Sequence, residues 1–526
     1  MKVLFLPQNK EVLAREGESL LDVCKRANIS LGETCNGRGT CKKCKVILDW
    51  EEQLACQVRV EEDIEVIIPY EESEISDKKA KISQIEHEKI KKHSEKTKIR
   101  YGVAFDIGTT TVVGSLVDLE NKEVLSIQAG QNPQRIAGAD VISRIQYIEE
   151  SRGNLCFLQN LILDCCEKMI TKFGEERRIE RIEKVTVVGN PTMSHIFLGY
   201  SPSSLARYPF SQQFHGIEKR FGENFKDAIL ASDLFRGDTQ KKKLGMEVTV
   251  LPNIGGQIGS DITMGLLATN ILDKKGNYIF IDIGTNAEMA FIQDGKCSVC
   301  SAAAGPVFEG ASIAYGMRAL DGAIESVTIA KNGEISVRTI GNRTAIGICG
   351  SGIIEIIAEL LEVGIIRRDG YMLSRAEAKA AGIDGMLCER IYEDKEKKAF
   401  CLVDESIFIT QEDVREIQLA KGAIKAGMQT LLKEVSKTIE DIDEILVGGA
   451  FGSYLDKKAA RTIGLFPYIS IEKIKMIGNT ASIGAVQALL SDKIREKALE
   501  LSKKATFVEL ASHSEFYENF LTSLNF

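Results

Sequence analysis

The 526-residue chain has no apolar run long enough to cross a bilayer, and no basic N-terminal segment leading into an apolar core. Neither a membrane-spanning helix nor a secretory signal is therefore expected. No G-x-x-x-x-G-K-[ST] occurs, which excludes a P-loop as a nucleotide site. A single Trp leaves little with which to stack bases. Basic residues are outnumbered, 67 against 75, for a net charge of −8. That balance gives no footprint for general nucleic-acid binding. These absences lead to the expectation of a cytoplasmic protein with no membrane and no nucleic-acid partner. Cysteine is present in an odd number, 13, without an export signal. Metal or redox use is expected over a disulfide framework. The length suggests roughly three or four domains.

In the first seventy residues, the short apolar runs Val3 to Leu6 and Glu11 to Ala14 flank Pro7-Gln8-Asn9-Lys10, a hairpin pattern. A helix is expected next, with Ser19 as its cap and Leu20, Val23, Cys24 and Ala27 on one face. Cys35, Cys41, Cys44 and Cys56 then follow as C-x5-C-x2-C-x11-C. Four thiolates at these offsets can converge on a metal, and Gly37 and Gly39 free backbone N–H groups to point at sulfur. A four-cysteine zinc site is the alternative ligand set, but zinc ribbons usually bring two C-x-x-C pairs and one is found here. The reading is a [2Fe–2S] cluster. The loop is one residue longer than the plant-type spacing, and resembles the vertebrate- and bacterial-type ferredoxins, which are β-grasp domains. Cys24 belongs to the buried helix face, so it is read as a core residue. Arg38, Lys42, Lys43 and Lys45 surround the cluster loop and read as a solvated face or as a docking patch for an acidic redox partner. From Glu71 to Arg100 the chain is Lys- and Glu-rich without Pro or Gly, a polar helical connector. It would span about 45 Å as helix and about 100 Å extended.

Tyr101 to Asp118 is a strand, a turn at Asp106-Ile107-Gly108-Thr109-Thr110-Thr111, and a second strand. Gly108 allows close approach of a ligand, the hydroxyls and turn N–H groups can bond phosphate oxygens, and Asp106 is left to hold a metal. One such turn is equally an ordinary hairpin. A second copy, Asp282-Ile283-Gly284-Thr285-Asn286 within Tyr278 to Gly295, argues for a duplicated fold. Each copy has a later strand entering a Gly turn: Val185 to Asn190, and Ile445 to Gly452 with Gly448, Gly449 and Gly452. This order resembles the acetate kinase/sugar kinase/Hsp70/actin superfamily. The resemblance implies phosphate and Mg²⁺ at both hairpins and adenosine contact at Gly448, Gly449 and Gly452.

Between the repeats, Gly259-Ser260-Asp261 opens a helix. Asp261 could position Mg²⁺ or a water, or merely cap the helix, and capping is the safer reading. Gly347-Ile348-Cys349-Gly350-Ser351-Gly352 reads as a close-packed turn before a helix, and the polar stretch Arg367 to Lys398 as an insertion. Cys297-Ser298-Val299-Cys300 is read as strand cysteines, and Ser301 to Ala311, SAAAGPVFEGA, as small residues with room for another backbone or a flat ligand.

The expected organisation is α+β and α/β. A β-grasp [2Fe–2S] ferredoxin domain (1–70) is joined by a helical linker (71–100) to a duplicated actin-like/RNase H-like ATPase body, divided into a middle domain (101–265) and a C-terminal domain (266–526). The motif order over nearly the whole chain resembles the reductive activators of corrinoid-dependent methyltransferases and corrinoid iron–sulfur proteins. That resemblance implies a homodimer that takes one electron from an external low-potential donor onto the cluster. The electron passes to the Co(II) corrinoid of a partner protein, restoring Co(I), with ATP driving the step. Asp106, Asp282 and Asp261 are the candidate catalytic carboxylates. Gly108, Thr109, Thr110, Thr111, Gly284, Thr285 and Asn286 are the candidate phosphate contacts, and Ser301 a candidate for the corrinoid-facing surface. Relatives with C-terminal [4Fe–4S] clusters are set aside, since Ser502 to Phe526 hold no cysteine. The alternatives are a metabolite kinase with a regulatory cluster, which needs an aspartate base, and an Hsp70- or actin-like binding module with structural zinc.

Overall fold

The computed structural model describes residues 1–6, 10–15, 17–27, 44–48, 51–67, 100–179, 181–230, 245–330, 332–394, 397–403, 406–449 and 454–526. Cys35, Cys41, Gly452 and the expected linker, apart from Arg100, lie outside the described residues.

The first two strands, Lys2–Leu6 and Lys10–Leu13, form the antiparallel hairpin that the apolar runs suggest. Lys2–Leu6 then pairs in parallel with Ile64–Ile67, near the other end of the domain. This long-range pairing closes a five-stranded mixed sheet over the helix Leu20–Arg26. Val3, Phe5, Leu20, Val23, Cys24, Val46 and Val66 fill the space between, as a β-grasp fold requires. Cys24 is wholly buried and behaves as a small core residue. Ser19 occupies the N-cap position but its hydroxyl makes no capping bond, a correction to the sequence reading. Ser19 is drawn instead into a two-residue pairing with Arg59.

The body contains two six-stranded sheets of like topology. In the middle sheet, Tyr101–Ile107 and Thr111–Asp118 form the hairpin and Glu123–Gln131 adds antiparallel to it. Ile182–Gly189 and Met246–Val250 extend the other side in parallel. The second sheet repeats this order with Asn277–Ile283, Ala287–Gln293, Lys296–Ala302, Glu444–Gly448 and Ile474–Gly478. Parallel central strands are covered on both faces, which is why they read as continuous apolar runs. The segment 367–398, read as an insertion, is packed onto the second half. Met372, Leu373, Ala378, Leu387, Cys388 and Ile391 from it are buried in the same core as the second sheet.

Between the sheets, the helices Ser260–Ala268 and Thr480–Leu490 pack against each other within a core fed by both halves, including Ala104, Val188, Phe280 and Leu446. The expected boundary at 265/266 falls inside the first of these helices, which ends at Ala268 before the short turn Ile271–Asp273 leads into the second sheet. The crossing is close because each helix presents a glycine at the contact. A Cβ on Gly265 would lie 2.9 Å from Thr480 Oγ1, and one on Gly484 would run into the Met264 carbonyl.

Ala in place of Gly gains about 1 kcal/mol of helix propensity, yet overpacking against backbone costs about 1–3 kcal/mol. Gly484→Ala should therefore lower stability, whereas Gly174→Ala, whose nearest neighbour would be 3.6 Å away, should raise it. Urea unfolding of the two variants checks this. Equal shifts in both would show that the crossing tolerates a methyl group.

Candidate functional site

Both hairpin turns are closed by their own backbone. Gly108 N–H donates to Thr111 O at 2.9 Å and Gly284 N–H to Asn286 O at 2.8 Å. A Cβ on Gly108 would sit 2.9 Å from the same Thr111 carbonyl, so the turn is tight enough to call for glycine. The first turn is also held from behind. Asn132 Nδ2 donates to Gly108 O at 2.8 Å, Asn190 Nδ2 to Thr109 Oγ1 at 2.9 Å, and the Arg144 guanidinium to the Thr109 carbonyl. Arg144 is fully buried and also donates to Gly138 O and Gln134 Oε1. Burial, and then the Arg135 charge, bring its pKa down to about 9. Asn190 does double duty, since its Oδ1 accepts from Met193 N–H and caps the helix Pro191–Leu198.

Asp106 and Asp282 stand near the ends of the first strands of their hairpins, and Asp261 in the first turn of the connecting helix. Each keeps a partial opening to solvent although protein surrounds it, as on the wall of a cleft. Burial raises the Asp106 pKa to about 6, moderated by a 2.9 Å hydrogen bond from Asn479 Nδ2. Burial and the Asp106 charge raise Asp282 to about 7. Burial and the charges of Asp106 and Asp282 raise Asp261 to about 8. Glu288 joins them: burial, then Asp261 and Asp282, push it well above the usual range. Three of the four are raised by their acidic neighbours' charges as well as by burial. Among the described residues no three acidic, His or Cys side chains are grouped closely enough to make a metal site by themselves, so Mg²⁺ here would need phosphate oxygens and water to complete its shell.

Asp261 stands one position inside the helix start and still binds it, its Oδ1 accepting from Ile262 N–H at 2.8 Å, so the expected capping is met in part. Gly259 holds the cap position, and the turn is pinned by Asn253 Oδ1 accepting from Ser260 N–H at 3.0 Å. Held in this way, the Asp261 carboxyl also feels the charges of the two hairpin aspartates. Gly448 lies opposite Asp282 in the parallel pairing. Gly449 has φ +75° and a Cβ there would collide with the Asp282 carboxylate. The hydroxyls of Thr110 and Thr285 both donate to Glu309, at 2.5 and 2.7 Å. Ser301 is half-buried and its Oγ donates to Glu288 Oε1 at 3.4 Å, so it faces the carboxylate cluster. The run that it begins reaches the surface at Ala311, Ser312, Ala314 and Tyr315.

At the ferredoxin loop, Cys44 is buried and Cys56 half-buried. The pairing Lys45↔Leu54 and the bond from Ala55 N–H to Cys44 O place these two cysteines together at one end of a hairpin. Two cysteine residues whose backbones meet at the open end of a hairpin fit a shared place in the proposed cluster's ligand set. Cys297 and Cys300 differ, because three residues along a strand separate opposite faces. Cys297 lies in the core between the lobes and Cys300 in that of the C-terminal half, so they do not form a ligand pair.

Asn190, Asn479, Arg144, Glu288 and Glu309 were not expected from the sequence. The two asparagines had a signal, since Gly189-Asn190 and Gly478-Asn479 both end a strand and cap a helix. Glu288 had a weaker one, an acid within an apolar strand.

The chain matches three family models. "2Fe-2S iron-sulfur cluster binding domain" covers residues 4–61, "RACo middle region" 101–274, and "C-terminal domain of RACo the ASKHA domain" 276–526. It is 31% identical to "Corrinoid activation enzyme RamQ" of Eubacterium limosum over 100% of this chain and 99% of that protein. It is 27% identical to "[Co(II) methylated amine-specific corrinoid protein] reductase" of Methanosarcina barkeri, over 80% of this chain and 76% of the other. A solved structure titled "Reductive activator for corrinoid,iron-sulfur protein" superposes with a TM-score of 0.69 at 28% identity, covering 100% of this chain and 98% of the other.

Without a cation, folded Asp106, Asp282 and Asp261 keep their protons to about pH 6, 7 and 8, whereas the unfolded chain releases them near pH ~4. The folded state binds more protons across that window, so stability falls as pH rises through it. The urea midpoint measured in EDTA should decline from pH ~4 to about 8. Asp261→Asn should remove the upper part of the slope, and Mg²⁺ with ATP should offset it. A midpoint indifferent to pH, or rising with it, would rule out this carboxyl cluster.

Proposed function

We propose, given that the chain belongs to the RACo family of reductive activators, that it passes one electron from an N-terminal [2Fe–2S] cluster to the Co(II) corrinoid of a partner protein, in a step driven by ATP. The observation that supports this most directly is the union, in one chain, of a [2Fe–2S] domain with both lobes of an ASKHA ATPase, matched from end to end by a relative named as a corrinoid activation enzyme.

The cluster supplies one-electron chemistry, and its proposed ligands are Cys35, Cys41, Cys44 and Cys56. Asp106, Asp282 and Asp261, with Glu288 behind them, would hold Mg²⁺. The turns Gly108 to Thr111 and Gly284 to Asn286 would bind phosphate through N–H and hydroxyl donors, and Gly448, Gly449 and Gly452 would face adenosine. Asp261, raised to about 8 by burial and its acidic neighbours while no cation is present, would ionise as Mg²⁺ binds and so could orient and deprotonate the water that attacks the terminal phosphate. A metabolite kinase would use the same carboxylate, and stoichiometric phosphorylation of a small molecule would separate the two.

ATP is needed for an energetic reason. An uphill electron transfer costs about 1.4 kcal/mol for each 59 mV, and a gap of some hundreds of millivolts exceeds the roughly 1–3 kcal/mol of ordinary allosteric coupling. The nucleotide states of the cleft are proposed to bind the partner differently and so to change cobalt ligation. The run from Ser301 to the exposed Ala311–Tyr315 is the proposed corrinoid-facing surface. A homodimer and an external low-potential donor complete the reading.

Anaerobically purified protein should be coloured, contain two irons per chain, and become EPR-active on accepting one electron. With a corrinoid protein, it should convert Co(II) to Co(I) only when Mg·ATP is present. Cys44→Ser should abolish colour and transfer. Asp282→Asn should keep the EPR signal yet slow ATP-dependent reduction roughly a hundredfold or more. Colourless, zinc-loaded wild-type protein would refute the electron-transfer role.

A further inference from the structure

One carboxylate joins the two phosphate hairpins. Glu309 Oε2 accepts from Thr110 Oγ1 of the first turn at 2.5 Å, and Glu309 Oε1 from Thr285 Oγ1 of the second at 2.7 Å. These residues lie 199 and 24 positions away in sequence, and the turns belong to different sheets. A hydroxyl has a single proton to donate. While Thr110 and Thr285 donate to Glu309, neither can donate to a phosphate oxygen, and the carboxylate repels an incoming phosphate.

The geometry points to Glu309 as a positioning residue that competes with nucleotide phosphate for the hydroxyls of both hairpins, so that nucleotide binding displaces it and moves the loop it begins. This rests on the nucleotide site of the preceding section. Glu309 ends the short turn Pro306–Glu309, whose Val307 and Phe308 are buried. Gly310 follows at φ +82°, packed so tightly on the Met317 backbone that a Cβ would collide with it. Met317 N–H donates to Ile348 O and Ile348 N–H to Tyr315 O, both at 2.8 Å. Ahead of Tyr315, Ala311, Ser312 and Ala314 are exposed, with Ile313 buried and Ala314 N–H held by Asp413 Oδ1 at 2.8 Å. A displacement of Glu309 is therefore adjacent, through one glycine, to the surface proposed to meet the partner. The inner end of the loop senses phosphate and the outer end faces solvent.

The test uses the full-length protein and a non-hydrolysable ATP analogue, by calorimetry with and without Mg²⁺. Glu309→Ala and Glu309→Gln should bind the analogue roughly tenfold more tightly, about 1.4 kcal/mol. Hydrogen exchange of residues 306–319 in the wild type should rise when the analogue binds, and in the variants this response should be lost. Unchanged affinity in a variant with wild-type unfolding would overturn the inference. So would weaker binding confined to Mg²⁺-containing buffer, which would make Glu309 a cation ligand. If the variants fail to fold, the wild-type exchange decides, and a loop indifferent to nucleotide refutes the displacement. Wild-type protein that binds no analogue would remove the nucleotide reading itself, together with this one, whereas binding without displacement removes only this inference.

Discussion

The mutual repulsion of buried carboxyls is the constraint on which the body of this protein depends. Asp106, Asp282 and Asp261 come from three separate elements, and the charge of Asp106 raises the proton affinity of Asp282 and, together with Asp282, that of Asp261. Nothing in the strands that carry them favours this crowding. It is sustained by the apolar core between the lobes, where the helix bearing Asp261 crosses the helix capped by Asn479. Gly265 and Gly484 let those helices approach, and Asn479 in turn reaches Asp106. Packing thus stabilises what electrostatics opposes, a common arrangement at sites where function requires perturbed carboxyls.

Sequence and structure agree best where a local pattern has a local cause. The two Asp-Ile-Gly-Thr turns were legible because apolar runs broken by a glycine turn have few alternative folds, and their repetition announced the duplicated sheet. Cys24 was legible from helical periodicity. The capping role expected of Asp261 was realised in part, through Ile262 N–H, while Gly259 holds the cap position and Asn253 orders the helix start. No one-dimensional pattern distinguishes an acid that caps from an acid that faces a cleft. The same holds for the hydrogen bond expected of Ser19, which lost to strand pairing.

The parts of the site that escaped sequence reasoning make their contacts across long separations. Arg144 supports the Thr109 carbonyl from a helix 35 residues on, Asn479 reaches Asp106 over 373, and Glu309 reaches Thr110 over 199. Residue type alone predicts a solvated Arg, a turn Asn and a surface Glu. Long-range register decides otherwise. The paired Gly-Asn turns at 189–190 and 478–479 show that some of this was recoverable, because an asparagine that caps a helix with its oxygen keeps its amide free to donate elsewhere.

The two charge problems of the cleft have different solutions. Carboxyls at Asp106, Asp282, Asp261 and Glu288 call for a cation, and phosphate alone would worsen their repulsion. The hydroxyls held by Glu309 call for a phosphate, and a cation alone offers them no acceptor. Neither component by itself relieves both. On the proposed reading a metal-bound nucleotide does, since its cation would offset the carboxyl charges while its phosphate oxygens would replace the Glu309 carboxylate. A cleft built in this way distinguishes Mg·ATP from its parts before any chemistry occurs. The Glu309 bonds straddle the two hairpins, so the distinction is registered between the lobes and not within either one.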